Sequence, residues 1–219
     1  MKAIQVVFAV ALAITCWACD ENRITFTEPQ PKGVKADREV RKEFVGNYFC
    51  EADSTFLIIT PTRIVEKHVD DKGSENDGES KMDVQANFGK DSAASFKVKV
   101  KKDGEDDLDV EAEFSETHLD LTKGHIAKFF KGYYFLNVPA EECSGFRVRL
   151  LHKSNDGLVI GRIESDSLLH LLENEGFVKK QTSEEEEEKW QLSPSRKQLK
   201  KLVDKGLFTE VRSYKKLKD

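Results

Sequence analysis

Strict alternation of apolar and polar positions dominates the middle of this chain. Phe96, Val98 and Val100 alternate with Lys97, Lys99 and Lys101, Lys102-Asp103-Gly104 makes a turn, and Leu108, Val110, Ala112 and Phe114 alternate with Asp109, Glu111 and Glu113. A period of two is that of a strand with one buried face. The stretch therefore predicts a hairpin whose outer face sets lysines against carboxylates. Leu119 and Leu121 extend the pattern as a further strand. Upstream, Tyr48, Phe49 and Phe56 to Thr60 are aromatic and β-branched, Pro61-Thr62 marks a turn, and Arg63 to Val69 puts Ile64, Glu66 and His68 on one face. Downstream, Phe146 to His152 and Leu158 to Ile163 flank Asn155-Asp156-Gly157, a strong hairpin signal.

Two six-residue stretches echo one another. Phe44 to Phe49 and Phe130 to Phe135 share F-x-G-x-Y-F, and each precedes a cysteine and a two-strand pattern, which raises the reading of two related β units. Helical signals lie at the ends. Val40 and Phe44 are four apart in 37–44, suiting a short helix; Leu168, Leu169, Leu171 and Leu172 form a stripe stopped by Gly176; and Ser193-Pro194 opens a helix with Leu199, Leu202 and Val203 on one face and Gly206 at its end. Phe177 to Thr182 reads as extended, and Val211, Tyr214 and Leu217 as a closing strand. The expected fold is mainly β, an antiparallel sandwich or partly closed barrel over residues 44–164, with a small α+β C-terminal part, 165–219, packed on it.

The N-terminus has a different logic. Lys2 is followed by an apolar run from Ala3 to Thr15 broken by Gln5, and Ala18 precedes Cys19-Asp20-Glu21. A charged start, a short apolar stretch and a small residue before the cut describe a secretory signal over residues 1–18. About 20 apolar residues are needed to span a bilayer, so the run is too short for that. This opening resembles Bacteroidetes-type bacterial lipoproteins, in which the cysteine after the cut is acylated, although Trp17 departs from the usual residues there. The resemblance implies lipidation of Cys19 and a cell-envelope protein held at the outer membrane by its acyl chains, with 19–43, containing Pro29, Pro31 and Gly33, as the tether. Arg23 to Lys32 and the helix-stop-strand ending are also similar to such lipoproteins.

Composition narrows the options. The 219 residues carry a net charge of -5, which speaks against nucleic acid as a partner. Of the four cysteines, Cys16 falls in the signal and Cys19 is the lipidation candidate, leaving Cys50 and Cys143 as an expected disulfide. Such a bridge would stabilise the fold by roughly 4–5 kcal/mol on a chain-entropy model. The acidic stretches 70–80, 103–109 and 184–188 lack the EF-hand spacing and read as solvated.

Candidate chemistry is sparse. His68, His118, His125, His152 and His170 are scattered without H-E-x-x-H, and no C-x-x-C, P-loop, G-x-G-x-x-G, G-x-S-x-G or S-x-x-K occurs. His68 and His152, each in a strand pattern after an F-x-G-x-Y-F copy, form the most tempting pair. No catalytic residue, metal site or cofactor is expected. The expected function is a lipid-anchored cell-envelope protein with a binding or structural role, its partners the membrane and an envelope protein or ligand. The alternatives are a carrier of a small apolar ligand, since Gly46 and Gly132 open strands in a way similar to lipocalin-like barrels, and an envelope hydrolase.

Overall fold

The computed structural model describes residues 24–69, 82–87, 94–103, 107–140, 144–155, 157–163, 172–173, 178–182 and 188–217. Its strands are β1 (Ile24–Phe26), β2 (Gly46–Cys50), β3 (Thr55–Ile59), β4 (Arg63–Val69), β5 (Met82–Asn87), β6 (Ala94–Asp103), β7 (Asp107–Asp120), β8 (Ile126–Phe130), β9 (Tyr133–Pro139), β10 (Phe146–Lys153), β11 (Gly157–Arg162), β12 (Val178–Thr182), β13 (Glu188–Leu192) and β14 (Thr209–Lys216), with a helix, α1 (Arg196–Asp204), before β14. All join one 14-stranded mixed sheet in the order β12-β13-β1-β10-β11-β14-β2-β3-β4-β7-β6-β5, with β9 on β10 and β8 on β9. The fold is thus mainly β, as the alternation predicts, and the sheet is not closed.

The alternation sets the register. Val98 lies opposite Ala112, Val100 opposite Val110, Lys97 opposite Glu113 and Lys99 opposite Glu111, so like pairs with like on the apolar rows and opposite charge with opposite charge between them. The strand β5, which the sequence reading did not anticipate, continues the rows with Val84 opposite Val98 and Gln85 opposite Lys97. Strand β7 runs to Asp120, with a register shift against β4 at His118, and the expected further strand at Leu121 is instead a short 3₁₀ turn over Leu121–Lys123. Asp120 stops the strand there because its carboxylate accepts from the Thr122 backbone N–H and hydroxyl.

The curled sheet has two cores. Within the curl, Tyr48, Leu57, Ile59, Ile64, Leu119, Tyr134, Leu136, Leu151, Leu158, Ile160 and Tyr214 pack together. On the opposite face Phe26, Phe135, Val148, Leu150, Trp190 and Leu192 pack under Leu199 and Leu202 of α1. Adjacent residues Tyr134 and Phe135 fall in different cores, the period of two made visible in packing. The helix begins where a capping box forms: the Ser195 side chain accepts from Gln198 N, and the Gln198 side chain accepts from Ser195 N.

Three stretches differ from expectation. Residues 37–44 form no helix; they cross one end of the curl, with Asp37 N donating to Ala127 O, Val40 N to Pro61 O, and Val40 and Phe44 buried in the inner core. Tyr48 and Tyr134, the tyrosines of the two F-x-G-x-Y-F copies, both bond to this crossing segment: Tyr48 Oη donates to Phe44 O, and Tyr134 Oη donates to Asp37 and accepts from Arg41 N. From Ile24 onward the stretch expected as a tether is part of the fold. It carries β1, and Gln30 is fully buried, its backbone N–H donating to Asn137 Oδ1 while Lys128 Nζ donates to the carbonyls of Pro29 and Pro31. Finally, β14 does not pack on the β body from outside. It lies between β11 and β2, in the middle of the sheet.

Candidate functional site

The residues expected to matter are placed as follows. Cys19 and Cys143 lie outside the described residues. Cys50 ends β2 as a free thiol, 3 % exposed in the inner core, and hydrogen-bonded to Asp53. Cys50 carries no bridge among the described residues, while its expected partner Cys143 lies outside them; the side-chain alternation of β2 turns Cys50 inward beside Tyr48. Burial, with the Asp53 hydrogen bond, pushes the thiol pKa up, away from the reactive thiolate. His68 and His152 do not meet. His68 lies on the strand face of Ile64 and Glu66, whereas His152 shares the outward face of Leu150 and lies edge-on to the Tyr133 ring at 5.3 Å. His170 lies outside the described residues, and His125 Nδ1 accepts from the backbone N–H of Asp120.

The chemistry that the fold does gather centres on His118, which the sequence offered only as one of five scattered histidines. On β7, Glu116 lies opposite Glu66 of β4, and the register shift at His118 lets that histidine join them on the same side as Leu119. The other side of the curl supplies Arg149 from β10, Arg162 from β11, and Arg212 and Tyr214 from β14. Together they line a cleft of about 20 Å³, enough for one water molecule. The signal missed in the sequence was the i, i+2 spacing of Glu116 and His118 within a strand. What makes it a cluster, however, is the long-range curl, which no local pattern encodes.

Polar atoms in this cluster are mutually engaged. Arg212 Nη1 donates to Glu66 Oε1 at 2.6 Å and its Nε to Asp53 Oδ2 at 2.5 Å, while Tyr214 Oη donates to Glu66 Oε2. Arg149 pairs with Glu116 and lies against His118 Nδ1. His118 Nε2 lies 3.2 Å from Glu66 Oε2. The carboxylates Glu66, Glu116 and Asp53 thus face the guanidinium groups Arg149 and Arg212, with Arg162 close enough to act on Glu116.

Electrostatics follows from that arrangement. Burial pushes the Glu116 carboxyl up, but Arg149, His118 and Arg162 outweigh it and hold the group at about 2. Burial also opposes ionisation of Glu66, and the His118 hydrogen bond and charge, the Tyr214 hydroxyl and Arg212 outweigh it, lowering its pKa. Tyr214 is driven up by burial and by the Glu66 charge, so its proton stays in place as a donor. One oxygen or nitrogen each from Glu66, Glu116 and His118 lie within 4.8 Å of one another, a set able to ligate a metal. Here, however, Arg149 stands against Glu116 and His118 as the cation. The cluster ties β4, β7, β10 and β14 together across the open side of the curl, where β7 comes against β9 without strand pairing.

Comparison with known proteins adds no relative: no family model, no curated protein and no solved structure matches this chain.

Proposed function

We propose that this protein is lipid-anchored in the bacterial cell envelope, held at the outer membrane through Cys19, with a binding or structural role there. One observation carries the reading. The charged start, apolar run and Ala18-Cys19 junction lie immediately upstream of a folded body whose first strand begins at Ile24, five residues beyond Cys19. Five residues reach at most about 18 Å, so an acylated Cys19 would hold the body close against the bilayer. Among the described residues no helix is long and apolar enough to cross a membrane.

The interior favours a binding or structural role over a carrier or a hydrolase. The curl is filled by Tyr48, Leu57, Tyr134, Leu136, Leu151 and Tyr214 and crossed by 37–44, and a ligand-sized apolar cavity needs roughly 300 Å³ or more. In the charged cluster both ring nitrogens of His118 are occupied by Arg149 and Glu66, so the imidazole has no nitrogen to offer a substrate. The test is fractionation of cells expressing Cys19→Ala. Loss of the protein from the membrane fraction is the expected outcome. Unchanged membrane partition would remove the anchor.

A further inference from the structure

The outward face of α1 carries a concentration of positive charge. Arg196, Lys197, Lys200 and Lys201 are exposed there, while Leu199 and Leu202 seal the helix to the outer core. The loop after β1 adds to it: the guanidinium of Arg196 lies over Gly33, so close that a Cβ on Gly33 would stand 3.2 Å from Arg196 Nη2, and exposed Lys32 and Lys35 flank that glycine. Among the described residues, acidic neighbours offset little of this. Glu28 pairs with Lys32 at 2.7 Å and Asp204 with Lys200 at 2.5 Å. Among the described residues no carboxylate pairs with Arg196, Lys197 or Lys201. The chain as a whole is acidic, at -5, so this basic face runs against the general composition.

The same corner of the molecule is where the chain enters the fold. Thr27, just past β1, donates from its backbone N–H to Leu192 O and from its hydroxyl to Ser193 Oγ, two residues before the Ser195 cap of α1. β1, the first described strand, therefore ends at the basic corner. Among the described residues Leu217 is the one large apolar side chain that is exposed, so apolar area is not what the described surface offers a bilayer.

We propose that the α1 face, with Lys35 beside it, is a membrane-facing surface that takes the headgroups of anionic phospholipids. This deepens the anchor reading and rests on it for orientation. Acyl chains at Cys19 would bring the body within about 18 Å of the headgroups, and the field of an anionic leaflet, which decays over about 8 Å at physiological salt, would then favour the orientation that lays α1 on the bilayer. A rigid face set by Leu199 and Leu202 loses little entropy on docking.

The test separates the surface from the anchor by removing the anchor. The full chain carrying Cys19→Ala, purified without lipid, is mixed with vesicles of phosphatidylcholine alone and of phosphatidylcholine with phosphatidylglycerol, and co-sedimentation is measured. Binding to the anionic vesicles only, abolished by high salt, is expected. The triple variant Arg196→Glu/Lys197→Glu/Lys201→Glu should weaken it at least about a hundredfold, since each basic residue near such a surface contributes roughly fivefold. Its melting temperature reports that the fold persists. Equal binding to neutral vesicles, no binding to either, or unaltered binding by the variant would each overturn the proposal. Failure of the anchor reading is read elsewhere, in cell fractionation, so the two cannot be confused.

Discussion

Glu66 is the residue on which most of the interior chemistry converges. It accepts from Arg212, Tyr214 and His118 while almost wholly buried. Replacing it with alanine leaves the Arg212 guanidinium with Asp53 alone and strands the buried Tyr214 hydroxyl, and breaking one side of a buried pair costs about 3–5 kcal/mol. Chemical denaturation of Glu66→Ala should show a loss of that order, whereas the exposed pair Lys215–Glu51, 2.8 Å apart, should show about 1 kcal/mol or less on Lys215→Ala. The carboxylates also set the response to acid. Glu66 and Glu116 have folded pKa values below their unfolded ones, so their contribution is fully present above about pH 5 and is lost as pH falls through the folded values, reaching about 2 for Glu116. A melting-temperature series should be flat above pH 5 and fall below it, and Glu116→Gln should flatten the most acid part of that limb. Cys50 gives a third outcome at this scale. A buried thiol without a bridge resists alkylation until the protein unfolds, and melting with and without reductant should coincide; a lower melting temperature in reductant would contradict the free thiol.

At the scale of elements, the sequence was most readable where one local rule sufficed. The β6–β7 pairing follows from alternation on both sides of Lys102-Asp103-Gly104, and α1 from the Leu199–Leu202 stripe with Gly206 behind it. Segment 37–44 misleads because Val40 and Phe44 are indeed buried together, but only 41–45 makes a local turn, while Asp37 and Val40 bond to Ala127 and Pro61, partners far along the chain. β1 hides for a similar reason: three residues beside two prolines carry no period, and their strand form comes from pairing with β10 and β13. The charged cluster was unreadable because its members come from five strands and a turn. Close approach between elements gives a sharp outcome. A Cβ at Gly157 would collide with the carbonyl oxygen of Tyr214 on the neighbouring strand. Gly157→Ala should therefore destabilise the β11–β14 seam by about 1–3 kcal/mol, as overpacking does, while Gly132→Ala, with open space around the glycine, should feel only its positive backbone angle.

For the whole molecule, the decisive feature is the position of β14. Strands β2, β3, β4 and β7 form one consecutive run and β8, β9, β10 and β11 another, and β14 lies between them, bonded to β11 on one side and β2 on the other. Its inward side chains, Arg212 and Tyr214, complete both the charged cluster and the inner core. A body in which β14 is central is unfinished until residues 209–216 are in place. Cut after Phe208, the two runs should part, and a chain lacking 209–219 should lose cooperative melting altogether. During synthesis the nascent polypeptide stays short of its keystone until 209–216 emerge, and on the export route proposed above that delay would keep it threadable.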